Sequence, residues 1–387
     1  MKPVFIVSAV RTPIGKFGGG LASLSAADMG TAAATEAITR SKISPDSIDE
    51  TIFGCARQAG GGPNVARQIS HRAGVPDEKP AYTVNQACAS SLRAVVSVYQ
   101  SILLGESNVV LVGGTESMSN VPYFLPKARW GYRLGSAELV DGMYKDGFLC
   151  PLCGKVMGET AETLAEKYKI SRREQDEYAA MSQNRAEAAW GRCDFRDEVA
   201  PIEVAGMKIE KDEHFRGGVT VDSLAKLKPV FKSDGTVHAG NSSGITDGAA
   251  VLVLASESAV KEQRLEPLAR IVDFTSVGVD PAIMGIGPVP AVKKLFARTK
   301  LKLDDIDLIE LNEAFAAQVI ACERELKFDR AKLNVNGGAI ALGHPIGATG
   351  ARILTTLVHA MKKGNARKGI ATLCVSGGMG MAVLVER

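Results

Sequence analysis

The chain has 387 residues, 45% hydrophobic and 23% charged, a globular composition too long for one simple core. Its formal net charge is +3 with Lys and Arg scattered, which excludes a basic nucleic-acid surface, and no run reaches the ~18–20 apolar residues of a membrane span. Seven cysteines, an odd number spread along the chain, fit the reduced thiols of a cytoplasmic protein better than a disulfide framework.

In chain order, Met1–Val10 reads as a buried first strand running into Arg11, too short to be a signal segment. A helical segment follows, then the acidic turn and strand of Ile43–Gly54. Next come Cys88, a run of small residues, a helix to Leu104, Gly105 and the strand Asn108–Gly114. The same order returns later: a helical segment, the turn and strand of Leu303–Asn312, His344 with small residues, a helix to Lys363, Gly364 and the strand Ile370–Val375. Each copy closes on a matching strand, Gly248–Leu254 and Gly380–Glu386. In the second copy a short glycine turn, Ser376–Gly380, joins the last two strands as a hairpin. In the first copy that junction opens to admit an insert rich in aromatic, charged and turn residues, with amphipathic helices over Glu159–Trp190.

Short apolar strands alternating with helices predict α/β architecture with buried sheets. The helix after Cys88 is apolar nearly all round (Leu92, Ala94, Val95, Val96, Val98, Ile102, Leu103, Leu104), so it belongs between layers of sheet.

Chemistry-bearing residues fall at corresponding places in the two copies. Cys88 stands at the entrance to the buried helix, where free backbone N–H groups and the helix dipole favour a thiolate. The plain alternative is a small core thiol. His344 lies among glycines 337, 338, 343, 347 and 350, with Pro345 read as the start of the next helix. Cys374 ends a strand and opens into the glycine hairpin, whose amides could face an oxyanion. Asn312 sits where strand turns into helix and reads equally as an N-cap. A P-loop is excluded because no Gly-Lys-Ser/Thr follows, and a dinucleotide fingerprint fails for want of its strand and acidic residue. Cys150-Pro-Leu-Cys153 is half of a zinc knuckle without a second pair, so no metal is expected.

These motifs resemble the thiolase family from Arg11-Thr-Pro-Ile-Gly15 to the C-terminus. The resemblance implies duplicated α/β halves forming a layered αβαβα core with an inserted loop domain. Residues 1–117 plus 246–268 would form the N-terminal half, 118–245 the insert and 269–387 the C-terminal half. It also implies roles: Cys88 as the acylated nucleophile, His344 as its activator and Cys374 as the acid or base at carbon. One oxyanion hole would combine His344 with a water on Asn312, and another the backbone N–H groups of Cys88 and Ser376. The family usually has glycine at the positions of Ala89 and Ser376. Met157, Arg216, Leu227, Phe231, Ala239, Ser243, Ala314 and Phe315 correspond to coenzyme A and acyl-pocket positions. Val156 stands where the two-carbon branch commonly has histidine. No cofactor is implied beyond the coenzyme A thioester substrates.

The expected activity is reversible Claisen condensation or thiolysis of short 3-ketoacyl-CoA, acetoacetyl-CoA foremost. The rivals are a broad-chain degradative thiolase, with a β-oxidation partner subunit, and a non-catalytic CoA or lipid carrier. Arg129–Gly135 and the segment after it resemble a tetramer-forming loop, implying a homotetramer built as a dimer of dimers.

Overall fold

The computed structural model describes residues 3–387, so Met1 and Lys2 of the expected first strand lie outside the described residues. Nine principal strands carry the core: β1 (Val4–Arg11), β2 (Glu50–Gly54), β3 (Ala81–Val84), β4 (Val109–Glu116), β5 (Thr246–Ser256), β6 (Ala269–Gly278), β7 (Leu308–Leu311), β8 (Lys368–Val375) and β9 (Met379–Glu386). They lie in the order β7-β8-β9-β6-β1-β5-β4-β2-β3. From the centre outward, β1-β5-β4-β2 repeats as β6-β9-β8-β7, which is the duplication written in hydrogen bonds. The copies match in direction too, with β2 parallel to β4 and β7 parallel to β8. The halves join through a short antiparallel ladder, Val4 to Ile271, Phe5 to Arg270 and Ile6 to Ala269.

The principal helices are α1 (Ala26–Ser41), α2 (Val65–Arg72), α3 (Ser90–Leu104), α4 (Met157–Lys167), α5 (Arg172–Gly191), α6 (Pro288–Thr299), α7 (Ala316–Leu326) and α8 (Thr349–Gly364). Helices α1 and α2 cover the outer face of the first half-sheet. Helices α6 and α7 cover the outer face of the second. Between the half-sheets, α3 and α8 share one apolar cluster with strands from both copies, giving the layers αβαβα. Contrary to the expectation that no run is long enough, Ala87–Leu104 is long and apolar enough by composition to cross a membrane, because a helix buried between two sheets is apolar all round; here it is the core helix. It stops at Gly105, whose φ of 81° supplies the left-handed cap that a side chain would resist.

The N-termini of α3 and α8 touch. A Cβ on Gly350 would stand 2.4 Å from the backbone nitrogen of Leu92, so only glycine permits this approach. The Ala351 N–H donates to Ser91 Oγ at 2.9 Å across the same contact. Corresponding positions of the duplication therefore meet at one point.

The segment between β4 and β5 packs α4 and α5 against the second half, with Leu164, Tyr178 and Ala179 in its outer cluster. Its far end is held by Arg11, a fully buried guanidinium at the end of β1. Arg11 donates to Glu198 at 2.6 Å and to both oxygens of Asp212 at 2.7 and 3.0 Å. Asp212 also accepts from the Ile14 N–H and the Trp190 indole, so one buried cation organises several elements. Arg11→Met would leave two buried carboxylates without their cation, a loss of about 3–5 kcal/mol. The expected result is a clearly lower urea midpoint, and an unchanged midpoint would show that the network carries little stability.

Candidate active site

A cavity of about 530 Å³ opens where α3 and α8 meet. Cys88 reaches it from a turn that the sequence ties tightly. The Ala87 N–H donates to Asn85 Oδ1, the Gln86 N–H to Ser90 Oγ, and Ser90 Oγ to the Ala87 carbonyl. Ala87 is held at φ 45°, a left-handed conformation that alanine adopts only under such constraint. The Cys88 sulfur faces its own backbone N–H and that of Ser376.

His344 comes from the second copy. Its backbone N–H donates to the Gly244 carbonyl at 3.0 Å, and its Nδ1 lies 2.6 Å from Thr349 Oγ1. Thr349 gives its one proton to the Pro345 carbonyl at 3.0 Å, so the hydrogen of the ring contact sits on Nδ1. Nε2 is left with its lone pair and lies 3.5 Å from Asn312 Nδ2. Asn312 is fully buried, and its Oδ1 has no hydrogen-bond partner among the described residues. Cys374, the penultimate residue of β8, lies opposite Gly380, 1% exposed, in an apolar cluster with Met284, Ala314 and Phe315. Ser376 then opens the turn, in which Gly377 and Gly378 take φ values of 85° and 86°. The left-handed demand thus falls on the two glycines and spares the serine.

Electrostatics correct one expectation. The helix dipole does not make Cys88 a resting thiolate. Burial pushes its thiol above the ordinary value, against the opposing pull of the Ser376 N–H, Arg57 and its own N–H. Burial, followed by the charges of Arg352 and Arg57, lowers His344 to about 3. The Cys374 thiol is raised well above the ordinary value by burial and by nearby Cys88. The resting site holds two thiols and a neutral imidazole, and a neutral imidazole is a competent base.

Two local readings also change. Pro345 does not start a helix: α8 begins at Thr349, and Pro345 opens the preceding turn, where the Ala348 N–H donates to its carbonyl. Asn312 is not an N-cap, since α7 begins at Ala316 after Phe315.

Met157, Arg216, Phe231, Ala239, Ser243, Ala314 and Phe315 all line the cavity. Leu227 does not. It is 36% exposed, and its carbonyl accepts from Arg172. The wall from the insert is locked to the second half by the Ser243 N–H on the Ala314 carbonyl and the Ala316 N–H on the Asn241 carbonyl. Phe231 meets Phe315 edge-on at 6.4 Å.

Lys16, Phe17, Arg57 and His214 line the same cavity without having stood out in the sequence. The signal for Lys16 was its place directly after Arg11–Gly15; Arg57 and His214 lie in loops without periodicity. Behind the site, buried Glu116 accepts N–H groups from Ala56, Arg57 and Gly347, tying the loop after β2 to the loop of His344.

The fold and this constellation define a duplicated α/β acyltransferase with a paired-cysteine site. Family models agree: "Thiolase, N-terminal domain" matches residues 4–258 and "Thiolase, C-terminal domain" residues 265–387. The chain belongs to the thiolase family and is an acyltransferase. It is 47% identical to the acetyl-CoA acetyltransferase of Cupriavidus necator, over 100% of both chains. It superimposes with a TM-score of 0.97 on the Bacillus anthracis acetyl-CoA acetyltransferase, at 46% identity over 100% of this chain and 99% of that one. The TM-score is also 0.97 to human mitochondrial 3-ketoacyl-CoA thiolase in complex with CoA, at 45% identity over 100% and 98% of the two chains.

With His344 lowered to about 3 and Cys88 raised, the reactivity of Cys88 should follow thiol ionisation alone. Alkylation of Cys88 by iodoacetamide is expected to rise steadily with pH through the neutral range. There should be no inflection near the ordinary imidazole value of about 6.5. An inflection there would mean that His344 titrates beside the sulfur.

Proposed function

We propose that this chain is an acetyl-CoA C-acyltransferase acting on short 3-ketoacyl-CoA, with acetoacetyl-CoA the foremost substrate. The observation that carries the reading is the convergence of Cys88, His344, Cys374 and Ser376 on one cavity, with Asn312 beside His344. Relatives of nearly full coverage named acetyl-CoA acetyltransferase support it.

In condensation, Cys88 attacks the carbonyl of acetyl-CoA while His344 Nε2 takes the thiol proton. The C–S bond to coenzyme A breaks, the Cys374 thiol gives its proton to the departing CoA sulfur, and acetyl-Cys88 remains beside a Cys374 thiolate and a His344 protonated at Nε2. Cys374 then removes a proton from the α-carbon of a second acetyl-CoA. The enolate attacks acetyl-Cys88, forming the C–C bond of acetoacetyl-CoA and freeing the Cys88 thiolate, which takes its proton back from His344. Thiolysis is the reverse. Cys374 abstracts a weakly acidic proton, so the enolate oxygen must be held by donors fixed in advance.

The Cys88 and Ser376 N–H groups, already turned to the sulfur, would bind the acyl oxygen. His344, by then protonated at Nε2, would bind the enolate oxygen together with a water on Asn312 Oδ1. An unpaired buried carbonyl costs about 1–3 kcal/mol, which such a water would offset. Coenzyme A would lie along Arg216, Ala239, Ser243 and Phe231, and the acyl group beneath Phe148 and Met157. No metal or redox cofactor enters these steps. The cytoplasm suits this chemistry, since all seven cysteines are free thiols.

Mixing the protein with acetyl-CoA should place one acetyl group on the peptide containing Cys88. Mass spectrometry of Cys88→Ser should show none there, and absence from the unaltered protein would end the covalent mechanism. Thiolysis of the four-carbon substrate should outpace that of long-chain substrates; the opposite ranking would favour the broad-chain degradative role. The exposed Trp130, Leu134 and Leu139 in and after the Arg129–Gly135 loop support a homotetramer built as a dimer of dimers. Light scattering should give the mass of four chains, and a two-chain mass would refute it.

A further inference from the structure

The Cys150-Pro-Leu-Cys153 turn is unused by the steps above. Leu149 and Val156 pair as an antiparallel bridge, making residues 149–156 a small hairpin. Within it the Cys150 N–H donates to the Lys155 carbonyl at 2.8 Å, and the Gly154 N–H to the Cys150 carbonyl at 2.9 Å. Such a turn puts residues three apart on one side, within the reach a disulfide needs. Both thiols are free; Cys150 is 2% exposed and Cys153 is more open. Among the described residues no three metal-binding side chains gather, so a structural zinc, which takes four ligands, does not account for the pair.

The hairpin touches the reaction centre at both ends. At its base Phe148, Val156 and Met157 line the cavity. The Cys150 sulfur faces the N–H groups of Cys153, Leu152 and Gly377, beside the Cys153 thiol, and at the tip a Cβ on Gly377 would lie 3.9 Å from the Leu152 side chain. Gly377 directly follows Ser376, whose N–H faces the Cys88 sulfur. Burial works against ionisation of Cys150, but these N–H groups hold it below the ordinary thiol range, while burial and neighbouring Cys150 push Cys153 up.

We propose that Cys150 and Cys153 form a reversible dithiol–disulfide site whose oxidation loosens the Ser376–Gly378 turn and lowers turnover. The oxidant is a low-molecular-weight disulfide. The more open Cys153, as thiolate, attacks one of its sulfurs and expels a thiolate, leaving a mixed disulfide on Cys153. Cys150, as thiolate, attacks the Cys153 sulfur and expels the second thiolate. Two protein thiols lose two protons and two electrons, and the small disulfide becomes two thiols. Closing the bond draws the Cys150 sulfur toward Cys153 and away from the Gly377 N–H it faces, so the turn that directs the neighbouring Ser376 N–H loses a restraint. The effect on turnover rests on the thiolase reading of that turn; formation of the disulfide does not.

The full-length protein would be equilibrated in glutathione buffers of rising oxidised fraction, alkylated and digested with trypsin. Residues 146–155 form one tryptic peptide holding this cysteine pair and no other cysteine. The expected result is that peptide lighter by two hydrogens and unalkylated, with turnover lowered about tenfold, a fraction of what losing an oxyanion donor costs. A dithiol reductant should restore both. Cys153→Ser, which cannot close the disulfide, should keep its turnover in the same buffers. The proposal is overturned if residues 146–155 stay fully alkylated where the Cys88 or Cys374 peptides are already oxidised. It is equally overturned if the disulfide forms without loss of turnover, or if Cys153→Ser is inactivated alike. Absence of turnover in the reduced enzyme would instead remove the proposed activity, and the peptide mass would still read the disulfide by itself.

Discussion

The approach of α3 to α8, closest where Gly350 lies on the backbone of Leu92, is the contact on which the rest depends. Each helix is apolar enough to be buried, yet burial alone does not say where along their lengths they cross. The missing side chain at residue 350, with the Ser91 hydroxyl receiving the Ala351 N–H, brings the crossing to the two N-termini. Those termini follow the turns that carry Cys88 and His344. The packing of the core and the assembly of the site are thus one event, and the short ladder between β1 and β6 suffices to join the half-sheets.

Burial at that crossing also sets the character of the chemistry. It raises both thiols and lowers the imidazole, so all three resting groups are uncharged. An uncharged resting site pays no desolvation penalty for ions before substrate arrives. Charge appears only as reaction proceeds, where N–H groups are already aimed. The nearby cation Arg57 favours a developing Cys88 thiolate and disfavours a protonated His344.

Much of this was legible in the sequence. The duplication showed because both copies repeat the same strand, helix and glycine punctuation, down to Gly105 and Gly364 after their helices. Cys88, His344 and Cys374 stood out because each sits where that periodicity breaks into small residues. The failures have physical causes. Leu227 follows the chain beside true wall residues, but its turn alternates between cavity and solvent. Pro345 resembled a first helical residue because proline's fixed φ suits a tight turn equally well. Arg57 and His214 reach the cavity from irregular loops, whose direction is set by tertiary contacts such as Glu116 rather than by local pattern. The neutral state of Cys88 depends on burial, and the helix-dipole argument could not weigh that.

The two copies differ most at the junction after their central strands. Between β8 and β9 the connection is three residues long, and its backbone faces the reacting sulfur. Between β4 and β5 the same connection runs to more than a hundred residues and supplies walls instead of reacting groups. One connection thus carries backbone that takes part in the reaction, and the other carries walls that only meet the substrate. New substrate preferences can arise by remodelling the long connection while the bond-making apparatus is inherited intact.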